Sequence, residues 1–160
     1  MKKILVIDDL PENVFILQDR LIQEGYEVIT SHDGNDGIQK AYSTLPDLIL
    51  LDVMMPDMDG YAVCEQLKAN PHTQAIPVIF ISALNAMDDK LKGFAVGGVD
   101  YITKPFSPRV LLARVKAVLR RKEAAGGAER FDGHSRAILQ AKFVGVAQGE
   151  MVGGIFVVED

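Results

Sequence analysis

Ile4-Leu5-Val6-Ile7-Asp8-Asp9 and Leu48-Ile49-Leu50-Leu51-Asp52 are short apolar runs that end in carboxylates. Val78-Ile79-Phe80-Ile81 ends in Ser82, and the run from Val99 to Thr103 ends in Lys104. Runs this short and this rich in Val, Ile and Leu, separated by helix-period stretches, read as buried parallel strands. With right-handed βα connections, every strand delivers its C-terminal end to the same edge of the sheet. Three carboxylates, a hydroxyl and an ammonium therefore converge where open α/β sheets bind ligands.

Working outward from those runs, the pattern predicts five strand–helix units. Strands fall near 4–8, 27–31, 47–52, 77–82 and 99–103, with helices near 11–24, 35–44, 60–69, 86–96 and 107–122. Pro11 suits a first helical turn, Gly25 closes the first helix and Gly97-Gly98 stop the fourth. After Lys122 the composition changes. Ala124-Ala125-Gly126-Gly127-Ala128 reads as a linker, and Ala141 to Val146 and Ile155 to Val158 as two short strands. Residues 1–122 then form one domain, and residues 123–160 a linker and extension too small to bury an independent core. Four readings of the extension stay open: docking on the domain, pairing between chains, the start of an output domain, or disorder.

The bulk properties bound the class. At 160 residues and 48% hydrophobic, the chain has enough apolar material for a core. A net charge of −5 argues against direct nucleic-acid binding. No apolar stretch approaches bilayer length, and the N-terminus lacks a secretory pattern. The lone Cys64 excludes an internal disulfide, so a cytoplasmic location is expected, with no membrane partner. Cys64 falls at helical spacing among Tyr61, Val63 and Leu67, as a small buried hydrophobe would.

The chemistry follows from the converging groups. Three packed acids repel one another, and each raises its neighbours' cost of ionisation. A hard divalent cation relieves this, and Mg²⁺ prefers one or two carboxylates with water and phosphate oxygens. With Lys104 as a compact cation and Ser82 as a donor, such a pocket suits a tetrahedral dianion. A carboxylate also attacks phosphorus, giving an aspartyl-phosphate. Asp52, alone at the end of a central strand, is the candidate nucleophile, and Asp8 and Asp9 suit the metal. Asp57 and Asp59 lie in a turn bounded by Pro56 and Gly60, where capping or solvation is expected.

These residues carry a resemblance. Ile4 to Asp9, Leu51-Asp52-Val53-Met54-Met55-Pro56-Asp57-Met58-Asp59-Gly60, Ile81-Ser82-Ala83 and Asp100-Tyr101-Ile102-Thr103-Lys104-Pro105-Phe106 occur in this order. In those four motifs together the chain resembles the receiver domains of two-component response regulators, over residues 1 to about 122. The resemblance implies a flavodoxin-like (βα)5 sheet of strand order 2-1-3-4-5. It implies a phosphorylation-activated signalling switch, with Asp52 accepting a phosphoryl group from a histidine kinase or a histidine phosphotransfer protein in a phosphorelay. Asp8, Asp9, Asp52 and the backbone carbonyl of Met54 would hold Mg²⁺, with Mn²⁺ as the alternative ion. Lys104, before a cis Pro105, would pair with the phosphoryl group. Ser82 would turn inward to a phosphoryl oxygen, and Tyr101, at the aromatic switch position, would rotate inward with it. The face of the fourth helix, fifth strand and fifth helix would then change its affinity for a partner or a second copy. Beyond its own phosphoryl transfer and dephosphorylation, no enzyme activity is implied.

The resemblance also implies that two positions bear on signal lifetime. The residues two past the acceptor and two past the switch hydroxyl are Met54 and Leu84, and neither orients an attacking water by hydrogen bonding. Slow self-dephosphorylation is expected. Gly97-Gly98-Val99-Asp100-Tyr101 resembles receivers attached to signalling enzymes and hybrid kinases more than those of transcription factors. Three other readings compete. A Mg²⁺-dependent phosphatase with an Asp nucleophile needs a second acid two residues on, where Met54 stands. A flavin module needs a phosphate-cradling loop after strand one, where Asp8-Asp9-Leu10-Pro11-Glu12 stands. The third is a receiver used without phosphorylation.

Overall fold

The computed structural model describes residues 1–131. Five strands and five helices alternate: β1 (Lys3–Ile7), α1 (Pro11–Gln23), β2 (Glu27–Ser31), α2 (Gly34–Thr44), β3 (Leu48–Asp52), α3 (Gly60–Ala69), β4 (Val78–Ser82), α4 (Met87–Ala95), β5 (Asp100–Thr103) and α5 (Pro108–Phe131). The strands pair in parallel in the order β2-β1-β3-β4-β5, the expected flavodoxin-like arrangement.

Period-two alternation splits the central strands between two cores. Leu5, Ile7, Ile49, Leu51, Val78 and Phe80 face one side, with Ile38, Val63, Cys64 and Leu67 of α2 and α3. Ile4, Val6, Leu48, Leu50, Ile79 and Ile81 face the other, with Leu17 and Leu21 of α1 and Leu111, Val115 and Val118 of α5. Both faces being covered is why β1, β3 and β4 are apolar apart from Lys3, Asp52 and Ser82 at their ends. Cys64 is buried there as a packing residue.

Register sets the site. Ile7 pairs with Leu51, Asp52 with Ile81, and Ser82 with Thr103. Asp8, Asp52, Ser82 and Lys104 therefore leave the sheet at one edge and at nearly one level.

The helix ends follow local chemistry. Asp33 and Asp59 cap α2 and α3, accepting from Asp36 N and Ala62 N. One boundary differs from the sequence expectation. The Ala124–Ala128 stretch, expected as a linker after a helix ending near 122, is helical, and α5 runs on to Phe131. Alanine is the strongest helix former, which offsets the cost of about 1 kcal/mol for each of Gly126 and Gly127. The two strands expected at 141–146 and 155–158 lie outside the described residues.

Candidate functional site

Asp8, Asp9 and Asp52 meet at the C-terminal edge of the sheet, with one carboxylate oxygen of each within 4.8 Å of the others. Asp8 and Asp52 are buried, 2% and 4% exposed, which is unusual for carboxylates that are not paired. The pairing comes from Lys104, whose Nζ lies 3.3 Å from Asp8 Oδ2 and 3.3 Å from Asp52 Oδ1. The Lys104–Pro105 peptide bond is cis, as the resemblance implies. The Lys104 N–H donates to the Ser82 carbonyl at 2.7 Å, fixing where the lysine leaves β5.

Asp8 is held from the loop that follows it. Its Oδ1 accepts from Leu10 N at 3.0 Å, and its Oδ2 from Asn13 Nδ2 at 3.4 Å. Burial, followed by the nearby charge of Asp8, pushes the Asp52 carboxyl up to about 6, although Lys104 opposes the shift. One ammonium does not compensate three acids. All three offer hard oxygen donors in a compact set, so the residues present fit a small divalent cation such as Mg²⁺.

The β3–α3 loop wraps tightly beside Asp52. Gly60 N donates to Val53 O at 2.8 Å, and a Cβ at Gly60 would stand 2.3 Å from the Asp52 carbonyl oxygen. Only glycine lets α3 start so close to the acidic pocket. In the same loop Asp57 accepts from Gly34 N and Asn35 N, each at 3.2 Å, tying the loop to the start of α2. Asp57 and Asp59 thus serve as caps. The Met54 side chain, two residues past Asp52, is exposed.

Ser82 is buried at the end of β4, and its Oγ accepts from Leu84 N at 3.1 Å. Tyr101 is turned inward, 6% exposed, and its hydroxyl donates to the Leu84 carbonyl at 3.0 Å. Expected to rotate inward as Ser82 moves, Tyr101 lies inward while the Ser82 oxygen is engaged by its own turn. The sequence reading passed over Asn13 and the Asp57 link. Asn13 lies only five residues past Asp8, whereas Asp57 reaches across 23 residues to Gly34 and leaves no local signal.

Comparison with known proteins agrees with this fold. The family model of the response regulator receiver domain matches residues 4–116. The chain belongs to that family. It is 48% identical over 124 residues to the alkaline phosphatase synthesis transcriptional regulatory protein PhoP of Bacillus subtilis, covering 78% of this chain and 51% of PhoP. It is 42% identical over 154 residues to the response regulator PleD of Caulobacter vibrioides, covering 86% of this chain and 34% of PleD. The chain therefore spans a third to a half of the length of these relatives. Among solved structures, a putative response regulator from Chloroflexus aurantiacus superposes with a TM-score of 0.71 at 34% identity, covering 74% of this chain and 98% of the other. The receiver domain of a signal transduction histidine kinase from Syntrophus aciditrophicus superposes with a TM-score of 0.70 at 37% identity, covering 75% and 91%. The matches thus include both a transcriptional regulatory protein and the receiver of a histidine kinase. No helix among the described residues is long and apolar enough to cross a membrane.

Proposed function

We propose that this receiver domain accepts a phosphoryl group on Asp52 from a histidine kinase or a histidine phosphotransfer protein. The observation that carries the reading is the buried Asp52 carboxylate, with Lys104 Nζ at 3.3 Å and two further acids within 4.8 Å. Asp8, Asp9 and Asp52, with the Met54 backbone carbonyl, would hold Mg²⁺, which when bound supplies positive charge against the phosphoryl oxygens. A carboxyl titrating near 6 is largely ionised at neutral pH, so Asp52 is available as a nucleophile. An Asp52 carboxylate oxygen attacks phosphorus, forming a P–O bond while the P–N bond to the donor imidazole breaks. The imidazole leaves with the electron pair and takes a proton from solvent. Lys104 pairs with the transferred dianion, and its ion pairs to Asp8 and Asp52 are given up in part.

The output follows from Ser82 and Tyr101. A phosphoryl oxygen draws the Ser82 hydroxyl away from Leu84 N, and the β4–α4 loop carrying the Tyr101 acceptor repositions. The inward and outward orientations of Tyr101 then change population, altering how the α4–β5–α5 face binds a partner or a second copy. Trapping the acylphosphate tests the assignment. After incubation with acetyl phosphate and Mg²⁺, borohydride reduction should convert residue 52 alone to homoserine in a peptide map. Homoserine at position 8 or 9 would overturn it.

A further inference from the structure

Tyr61, on the first turn of α3, touches both halves of the switch. Its hydroxyl lies 3.0 Å from the Asp89 carbonyl in α4 and 3.3 Å from the Tyr101 hydroxyl. Both phenols are buried, Tyr61 at 5% and Tyr101 at 6% exposure. Phe80 sits beside the two rings, with centroids 5.3 Å from Tyr61 and 6.0 Å from Tyr101. α4 packs closely on this cluster because residue 93 is glycine: a Cβ there would lie 3.0 Å from both the Phe80 and the Tyr101 rings.

Counting protons orders the hydroxyls. Tyr101 has one proton and gives it to the Leu84 carbonyl at 3.0 Å. The same count sends the Tyr61 proton first to the Asp89 carbonyl at 3.0 Å, and the Tyr101 oxygen, 3.3 Å away, can only accept a share of it. Tyr61 in turn divides that proton between Tyr101 and the Asp89 carbonyl. Burial raises the Tyr61 hydroxyl above its ordinary value, so it stays protonated and able to donate. The Lys92 ammonium, 4.9 Å over the Tyr61 ring, further fixes the ring against α4.

We propose that Tyr61 is a positioning residue of the switch, its hydroxyl holding Tyr101 inward and tying that orientation to the first turn of α4. The inference rests on the reading of Ser82 and Tyr101 as the switch. With Tyr101 turned outward, the Tyr61 proton goes wholly to Asp89. With Tyr101 inward, the Tyr101 oxygen takes a share of that proton in a buried contact. Because the proton is shared, the contact is worth less than a full hydrogen bond and favours the inward state about twofold.

The test is a double-mutant cycle on the affinity of the full 160-residue chain for beryllofluoride with Mg²⁺. Tyr61→Phe keeps the ring against Phe80 and removes only the hydroxyl. It is expected to weaken beryllofluoride binding about twofold in the wild-type background. In the Tyr101→Phe background, where no second hydroxyl is present, the same change should have no effect. Tyr61→Leu, which removes ring and hydroxyl together, serves as the second variant and should show the same dependence on the Tyr101 hydroxyl. Equal weakening in both backgrounds, or none in either, overturns the proposal. If Tyr101→Phe alone leaves the affinity at the wild-type value, the switch reading itself fails, and the role of Tyr61 falls with it.

Discussion

The Tyr101 hydroxyl donates to the Leu84 carbonyl at 3.0 Å, and the N–H of that same Leu84 donates to Ser82 Oγ at 3.1 Å. One residue of the β4–α4 loop thus carries both ends of the path from the acidic pocket to the aromatic ring. Ser82→Ala removes the pocket end of the path and leaves Asp8, Asp9, Asp52 and Lys104 in place. Beryllofluoride should still bind the Ser82→Ala protein, about tenfold more weakly for a lost hydrogen bond to a charged group. Its Tyr101 ring resonances should no longer respond to binding, as NMR of tyrosine-labelled protein would show. A full Tyr101 response in Ser82→Ala would contradict the path.

Asp52 makes the metal-free protein sensitive to pH. Its carboxyl rises from an ordinary 3.8 to about 6, so the folded chain holds this proton more tightly than the unfolded chain does. Folding therefore gains from Asp52 at low pH, and the gain is lost as pH rises from about 4 to about 6. In the presence of a chelator, Asp52→Asn should be more stable than wild type at pH 7.5, by on the order of 2 kcal/mol. The gap should close towards pH 4, and also on adding Mg²⁺ to wild type at pH 7.5. Thermal denaturation across the pH range measures both.

Lys104 stands between two buried acids, so Lys104→Met leaves them facing each other without a compensating charge. The rate of phosphorylation by acetyl phosphate should fall by about 100-fold, consistent with loss of a preorganised charge on the transferring group. Metal-free stability should fall as well, by about 3 kcal/mol, because a buried ion network has lost its only cation among the described residues. Stopped kinetics and denaturant titration give the two values.

Met54, two residues past Asp52, is exposed and has no group to direct a water. Replacing it with Asn supplies a donor and an acceptor at the position two past the acceptor. The aspartyl-phosphate of Met54→Asn should hydrolyse about tenfold faster, a change of about 1.4 kcal/mol in barrier. An unchanged lifetime would remove Met54 as a determinant.

Away from the site, Leu45 caps α2 with φ 47°, ψ 65°, in the left-handed region, and its side chain is half exposed. Left-handed backbone costs a non-glycine residue about 1–2 kcal/mol, part of which glycine returns through unfolded-chain entropy. Leu45→Gly should therefore stabilise the domain by about 0.5–1 kcal/mol in denaturant titration, with phosphorylation unchanged.

What was legible in the sequence is what depends on strand ends. Asp8, Asp52, Ser82 and Lys104 could be placed together because parallel strands bring their C-terminal ends to one edge, whatever the helices do. Contacts between elements far apart in the chain were hidden. Asp57 reads locally as a turn residue, yet it ties the β3–α3 loop to α2 across 23 residues. Tyr61 reads as one apolar position of an amphipathic helix, and only the assembled fold places its hydroxyl against Tyr101, 40 residues on. Gly60 could be read as a helix start, but its near contact with the Asp52 carbonyl requires the folded loop. The end of α5 was misjudged because two glycines suggested a break where flanking alanines sustain the helix.

The central claim is that this pocket phosphorylates Asp52, and intact-mass spectrometry after incubation with acetyl phosphate and Mg²⁺ tests it most directly. Wild type should gain one phosphoryl group, while Asp52→Asn and a chelated wild-type sample should gain none. An equal gain in Asp52→Asn, or no gain in wild type with Mg²⁺ present, would contradict the account.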